Sequence, residues 1–331
     1  MQESILLIRI KSIGDVVLTL PAVHAVRENF PSARITFLTS EENASLLGGF
    51  QEVNRIIKLD RAALRSSHPL KVAVEFLGLL WRLRAGRFSL VIDFQGYGET
   101  AWLTWLTGAS QRWGRVHRSK RGWAYTRPTK PGPAVHPAEA HLHLLQLCGL
   151  RVSTIRNDFG LPETAVNAAR AWFTEHRLDA DKPTLYVQPL TSGPHKNWPL
   201  ENYLVVARSW RSRGVQVVMG GGPDDRAALE PAKREGFAVS AGVPLLVTAG
   251  LMKLSTLILG GDTGAVHLAV AQGKRVLMLL HQNTPGSPLP FQHPDWVVVA
   301  ARPVAIAGIP VADVLAATER AFNELTGSVS C

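Results

Sequence analysis

The sequence predicts an α/β protein built as two domains, each around a parallel sheet. Three observations lead there. Short runs rich in Ile, Leu and Val alternate with longer amphipathic stretches, as βαβ units around a doubly covered sheet require. The alternation occurs in both halves of the chain. The 331 residues exceed one ordinary domain, yet give two domains enough length to bury separate cores.

In the first half, residues 5–10, 35–38, 53–59 and 90–92 read as strands, with helices over 21–29 and 72–84. In the second, strands are expected at 184–187, 215–219, 256–259 and 276–280. Between them lies a polar stretch, 151–183, carrying Pro162, Asp179, Asp181 and Pro183, which reads as a hinge. The boundary is placed near residue 165, giving an N-terminal domain of 1–165 and a C-terminal domain of 166–331. A last amphipathic helix, 311–325, is expected to lie close to the first domain. Ligands of open parallel sheets bind beyond the carboxyl ends of the strands, so a cleft between two such domains is the expected site.

Composition narrows the partners. Apolar residues make up 46% and charged residues 19%, a globular balance in which the whole chain folds. The net charge of +10 and a pI near 10 call for something anionic: nucleic acid, acidic lipid or a phosphorylated sugar. Cys148 and Cys331 cannot form a disulfide framework, which points to a reducing cytoplasm. Arg9, Lys11 and Asp15 interrupt any signal-peptide core, and Lys253 with Gly242, Pro244 and Gly250 breaks the apolar stretch 242–260, so no spanning segment is expected.

Four segments at strand ends could carry chemistry. The first strand runs into Ser12-Ile13-Gly14-Asp15, where Asp15 is either a helix-capping carboxylate or a general base for a hydroxyl acceptor. After the strand at 184 comes Thr191-Ser192-Gly193-Pro194-His195-Lys196-Asn197-Trp198-Pro199, a solvated turn or a phosphate site in which hydroxyls donate and Lys196 adds charge. Gly220-Gly221-Gly222-Pro223-Asp224-Asp225 is a tight turn, or a place where Asp224 holds a nucleoside hydroxyl; it lacks the dinucleotide spacing. Gly260-Gly261-Asp262-Thr263-Gly264-Ala265-Val266-His267 is a strand end, a turn and a helix start that offers N–H groups to a phosphate. His267 there either reaches the ligand or packs.

Other signals weigh less. Asp179 and Asp181 sit in the hinge, and His141 and His143 fall on different helix faces, so no metal site is expected. A basic and aromatic stretch over 112–127 includes Trp113, Arg118, Lys120, Arg121 and Trp123, and Arg61, Arg65 and Lys71 form a second cluster. These favour a phosphorylated acceptor or an anionic membrane face; no nucleic-acid motif accompanies them.

Together, the stretch Gly14-Asp15-Val16-Val17-Leu18-Thr19-Leu20-Pro21-Ala22, the Thr191-Ser192 to Lys196-Asn197-Trp198-Pro199 loop and Asp262-Thr263-Gly264-Ala265-Val266-His267 resemble glycosyltransferase family nine, which includes the ADP-heptose heptosyltransferases of lipopolysaccharide synthesis. Asp93-Phe94-Gln95-Gly96 is similar to that family's Asp-x-Gln-Gly strand end. The resemblance spans nearly the whole chain. It implies a GT-B architecture of two Rossmann-like domains with a cleft between them, and an inverting, metal-independent transfer without cofactor. Asp15 would be the base. Thr191, Ser192, Lys196, Asp224, Asp262, Thr263, Gly264 and His267 would hold the nucleotide-sugar donor, expected to be ADP-heptose. Arg61, Arg65, Arg118, Lys120 and Arg121 would meet an acidic glycolipid acceptor, with peripheral contact to the inner face of the inner membrane. Leu280-His281-Gln282-Asn283-Thr284-Pro285 departs from the family's usual turn, which leaves open a different sugar or base preference. The alternatives are a transferase for another nucleotide sugar, or a non-catalytic protein that binds a nucleotide sugar or nucleic acid.

Overall fold

A computed structural model describes residues 3–116, 119–130, 132, 135–193, 196–301 and 305–327. The chain divides into two units, Met1–Asp158 and Phe159–Cys331. The division precedes the expected boundary near 165, because buried Phe159 already belongs to the second unit, its N–H donating to Ala271 O at 2.7 Å.

In the first unit the elements run β1 (Ser4–Ile8), α1 (Ile13–Val17), α2 (Leu20–Asn29), β2 (Arg34–Ser40), β3 (Arg55–Leu59), α3 (Arg61–Leu64), α4 (Pro69–Ala85), β4 (Leu90–Asp93), α5 (Gly98–Leu106), β5 (Gln111–Arg115), β6 (Arg127–Thr129) and α6 (Pro137–Leu147). The described strands pair in parallel in the order β3-β2-β1-β4-β5-β6. β1 is buried on both faces, which explains its unbroken apolar sequence. Leu6 and Ile8 pack with Leu79 and Leu83 of α4 and Leu103 of α5 on one face of the sheet. Residues alternate along a strand, so Ile5 and Leu7 look to the other face, the side left to α2 and α6, which pack together.

The second unit contains α7 (Glu163–Glu175), β7 (Thr184–Gln188), α8 (Leu200–Ser212), β8 (Gln216–Met219), α9 (Glu230–Arg234), β9 (Ala238–Val239), α10 (Leu245–Leu254), β10 (Leu257–Gly261), α11 (Gly264–Ala271), β11 (Val276–Leu280), β12 (Val297–Val299) and α12 (Val311–Gly327). Its described strands are also parallel, in the order β12-β11-β10-β7-β8-β9. α7, α10 and α11 cover one face. α7 and α10 pack closely at Gly250, where an added Cβ would lie 2.7 Å from Ala169 Cβ and 2.8 Å from Ala165 O.

α8 and α12 cover the other face. α12 buries Val314, Ala317, Ala321 and Phe322 in the core of its own unit. Trp210 of α8 lies against Phe322 at 4.2 Å between ring centroids and donates its indole N–H to Thr318 Oγ1 at 3.0 Å. The helix's apolar stripe is thereby consumed.

Strands β5, β6, β9 and β12 escape the sequence reading. β5 reads Gln-Arg-Trp-Gly-Arg and β9 is two residues long, so neither shows an apolar run. The basic stretch over 112–127 is correspondingly not a uniform solvent face: Trp113 is buried, and Arg112 and Arg127 donate to the carbonyls of Ala124 and Cys148. Cys148 is buried as well, and burial pushes its thiol up to about 11, which leaves it unreactive.

Phe322→Ala should destabilise the second unit by about 3–5 kcal/mol, the usual cost of truncating a buried aromatic. Chemical denaturation followed by tryptophan fluorescence tests it. An effect below 1 kcal/mol, read against the same scale, would mean that α12 is not held by this face.

Candidate functional site

In each sheet the order reverses beside the first strand. Chain segments leaving β1 and β4, or β7 and β10, diverge to opposite sides and open a crevice at the carboxyl ends of the strands. Asp15 and Gln95 follow β1 and β4. Lys196 and Asp262 follow β7 and β10. Each pair of motifs therefore lies at the switch point of its own unit.

In the second unit the two loops meet through Asp262. Lys196 Nζ lies 2.8 Å from its Oδ2, and His267 Nε2 lies 3.2 Å from its Oδ1. Burial works to raise the Asp262 carboxyl, but the hydrogen bonds and charges of His267 and Lys196 outweigh it and hold the group below its ordinary range. Asp262 is thus a carboxylate, and His267 Nε2 carries the proton between them. His267 is buried, and its Nδ1 has no partner among the described residues. Packing and a polar role therefore coincide in one side chain.

The loop after β7 is built to hold Lys196 there. Asn197 Oδ1 accepts from Thr191 N at 2.8 Å and lies 2.9 Å from Thr191 Oγ1. Trp198 is buried, donates to Ile309 O at 2.9 Å and packs edge-on against Tyr203. Gly261 lets the loop come close: a Cβ there would sit 2.8 Å from Thr191 Cγ2. The Thr191 hydroxyl is engaged inside its own loop, with Gly193 O also 3.0 Å away, whereas Ser192 is exposed. Thr263 caps α11 with extended backbone, its carbonyl accepting from Val266 N at 3.0 Å, and the N–H groups of Gly264 and Ala265 at the helix start lack intrahelical partners. Of the two acids after the glycine turn, Asp225 accepts from Gly222 N at 2.7 Å and braces the turn, leaving Asp224 exposed.

In the first unit Asp15 does cap the short helix α1. Its Oδ2 accepts from Ser12 N at 3.0 Å and lies 3.2 Å from Ser12 Oγ. Its Oδ1 pairs with Arg9 at 2.7 Å, and the carboxylate stays 40% exposed, so lone pairs remain for a ligand. Arg9 also donates to Phe94 O at 3.0 Å, tying the ends of β1 and β4.

Asp93 is fully buried and accepts from Gln95 N, Gly96 N and Tyr125 Oη. Burial pushes its carboxyl up, against these bonds and that of Thr100. The turn so fixed presents Gln95 Oε1 to Ile10 N at 3.0 Å and leaves Gln95 Nε2 buried without a partner among the described residues. Arg115 and His141 lie in the same region. Burial and the charge of Arg9 lower both, His141 well below its ordinary value, so its imidazole is neutral.

Arg61 and Arg121 are drawn toward the end of β4. Arg61 Nε lies 3.8 Å from Glu99, and Arg121 donates to Gly96 O at 3.3 Å. Arg65 and Lys120 face solvent, and Arg118 lies outside the described residues. Asp179 accepts from Asp181 N at 3.0 Å in the segment before β7, at the opposite end of that strand from Lys196. Among the described residues no three His, Cys, Asp or Glu side chains converge as a metal site. Sequence reasoning missed Arg9 and Tyr125, and took Arg115 only as one member of a basic stretch, because their placement near the end of β4 depends on which strands pair.

With this geometry in place, comparison decides the family: the profile described as glycosyltransferase family 9 (heptosyltransferase) matches residues 77–305. The chain belongs to glycosyltransferase family 9. It is a glycosyltransferase of heptosyltransferase type. It is 26% identical to lipopolysaccharide heptosyltransferase 3 of Escherichia coli K12, over 80% of this chain and 79% of that one. The fold resembles a family 9 glycosyl transferase from Veillonella parvula, with a TM-score of 0.87, 21% identity and 98% of each chain covered. It also resembles E. coli heptosyltransferase WaaC solved with ADP-2-deoxy-2-fluoro heptose, with a TM-score of 0.76, 20% identity, and 96% and 99% of the two chains covered.

The lowered Asp262 carboxyl has a consequence for stability. A depressed folded value means stability that is complete above the unfolded value near 3.8 and lost as pH falls through the folded one. Asp262→Asn should therefore be less stable than the parent at neutral pH, by about 1–3 kcal/mol, and the difference should shrink below pH 4. Denaturation at several pH values measures this; a gap constant with pH would sink the assignment.

Proposed function

We propose that the enzyme transfers heptose from ADP-heptose to a lipopolysaccharide core acceptor with inversion, Asp15 acting as the base. One observation carries the reading: in a family 9 chain, an accessible carboxylate stands at the switch point of one sheet, and a braced Lys–Asp–His group stands at that of the other. The choice of donor and acceptor rests on relatives that are named as lipopolysaccharide heptosyltransferases or solved with an ADP-heptose analogue. Acting on such an acceptor, the enzyme works at the cytoplasmic face of the inner membrane.

In this mechanism the acceptor hydroxyl oxygen attacks the anomeric carbon from the face opposite the diphosphate. Its proton passes to Asp15 as the new C–O bond forms. The bond to the phosphate oxygen breaks, and its electron pair leaves with ADP. Lys196 has three N–H groups, one of them held by Asp262, so two remain for diphosphate oxygens. First-turn N–H groups of α11 supply fixed positive potential. Asp262 positions Lys196, and Asp224 is the candidate contact for the nucleoside. These cationic groups make the transfer metal-independent, and Asp179 and Asp181 lie at the wrong end of the sheet to bridge a metal to the phosphates.

Asp15→Asn keeps the capping geometry and should retain donor binding, while turnover falls by roughly 10²–10⁴. Release of ADP from ADP-heptose in the presence of acceptor is the assay. Turnover at the parental rate would leave Asp15 as a cap and nothing more.

Chelation by EDTA should leave that activity intact, whereas Lys196→Ala should weaken nucleotide binding and slow the chemical step together. Loss of turnover with EDTA and its recovery with magnesium or manganese would overturn the metal-independent reading.

A further inference from the structure

α4 is an amphipathic helix turned partly the wrong way. Of its 17 residues only Leu79 and Leu83 are buried. Leu70, Val74, Leu77 and Trp81, spaced 4, 3 and 4 apart, form a stripe along the whole helix, and they are 77%, 63%, 61% and 69% exposed. The inner pair already fills the contact with the sheet, so the stripe has no place in this unit's core. An apolar row of this length in water marks a surface that meets something.

The neighbouring helix adds to the same layer. α4 and α5 pack on one face of the sheet, so their outer sides look away from it together. On and beside α5, Trp102, Trp105 and Trp123 are each about half exposed, with ring centroids 4.6–5.9 Å apart. Exposed indoles suit a boundary between apolar and aqueous phases, because the ring is apolar and its N–H still finds water or a headgroup.

Charge selects the partner. Residues 61–127 carry twelve Lys and Arg against three Asp and Glu, nearly all of the chain's net +10. Of those acids Asp93 is buried, Glu75 is paired with Arg82 and Glu99 lies by Arg61. Arg65, Lys71 and Lys120 are exposed and have no acidic partner among the described residues. A second copy of the chain would bring two such faces of like charge together. An anionic bilayer supplies both an apolar layer for the stripe and negative headgroups for its flanks.

We propose that the outer face of α4, with the Trp102–Trp105–Trp123 cluster beside it, docks the first unit onto the surface of an anionic lipid bilayer. Among the described residues no helix is long and apolar enough to cross a membrane, and α4 lies in the interface with its stripe toward the acyl chains. The proposal concerns binding alone and stands whichever sugar is transferred.

The test is co-sedimentation of the full chain with phosphatidylcholine–phosphatidylglycerol vesicles and with pure phosphatidylcholine vesicles. The parent should bind the mixed vesicles at least about tenfold more tightly, and added salt should weaken that binding. Val74→Glu with Leu77→Glu should reduce it by more than about tenfold, since two apolar contacts become acids facing anionic lipid. Lys71→Glu should reduce it by roughly fivefold or more. These positions are exposed, so circular dichroism and melting should match the parent. Absent binding to mixed vesicles, equal binding to both kinds, or variants that bind like the parent would each overturn the proposal. So would a concentration-dependent dimer in analytical ultracentrifugation that the Val74→Glu, Leu77→Glu variant abolishes, because the stripe would then belong to a second copy.

Discussion

The carboxylate of Asp262 holds two chain segments together that are separated by 66 residues, and the geometry at the strand ends of the second unit depends on its bonds to Lys196 and His267. It is possible only because β7 and β10 are parallel neighbours whose connections leave in opposite directions. At that point the two connections diverge, and the loops after β7 and β10 can lean toward each other. Gly261 removes the side chain that would keep them apart, and Trp198 anchors the far end of the Lys196 loop in the core. Without Asp262 an exposed lysine would sample many positions; with it, the ammonium is held before any ligand arrives.

The first unit solves the corresponding problem with buried polar groups instead of an ion pair in a loop. Asp93 sits at the end of β4 and spends its acceptor capacity on two N–H groups of the following turn and on Tyr125. Those bonds make the turn rigid, and Gln95 then closes onto the backbone leaving β1. Arg9 completes the link from Phe94 O to Asp15. Asp15 is consequently both a helix cap and a carboxylate of fixed direction. Of the two accounts that compete for it at the level of sequence, the cap is the one the contacts show; it orients the group and leaves one side of it open.

Much of the fold is legible in the residues because fully buried parallel strands must be apolar on both faces. Ile5 to Ile8, Leu185 to Val187 and Val276 to Leu280 could hardly be anything else. Outer strands obey the demand less strictly: β5, between β4 and β6, is polar, and the edge strand β9 is too short to pattern, so both escape. The candidate site is legible as motifs but not as contacts. Glycine turns after strands locate Asp262 and Lys196, yet only pairing of β7 with β10 makes them partners. Nor does sequence show that Thr191 is occupied by its own loop while Asn197 does the bracing. Arg9 looks like any charge after a strand until β4 is placed beside β1.

α4 shows where periodicity is ambiguous in principle. Leu79 and Leu83 recur at helical spacing, and so do Leu70, Val74, Leu77 and Trp81; either stripe alone would predict the helix correctly. A hydrophobic period reports that one side of a helix is apolar, not that protein lies against it. Burial separates the two rows, and it does so because the sheet beneath α4 needs only two leucines to fill the contact. The division of labour in the first unit follows from this. The carboxyl ends of its strands carry the ordered polar groups, and its outer helical layer carries an apolar stripe set in most of the chain's positive charge. A helix required only to close a core would not keep four large apolar side chains in water. Four such side chains beside an excess of cations fit the proposed surface for an anionic, partly apolar phase.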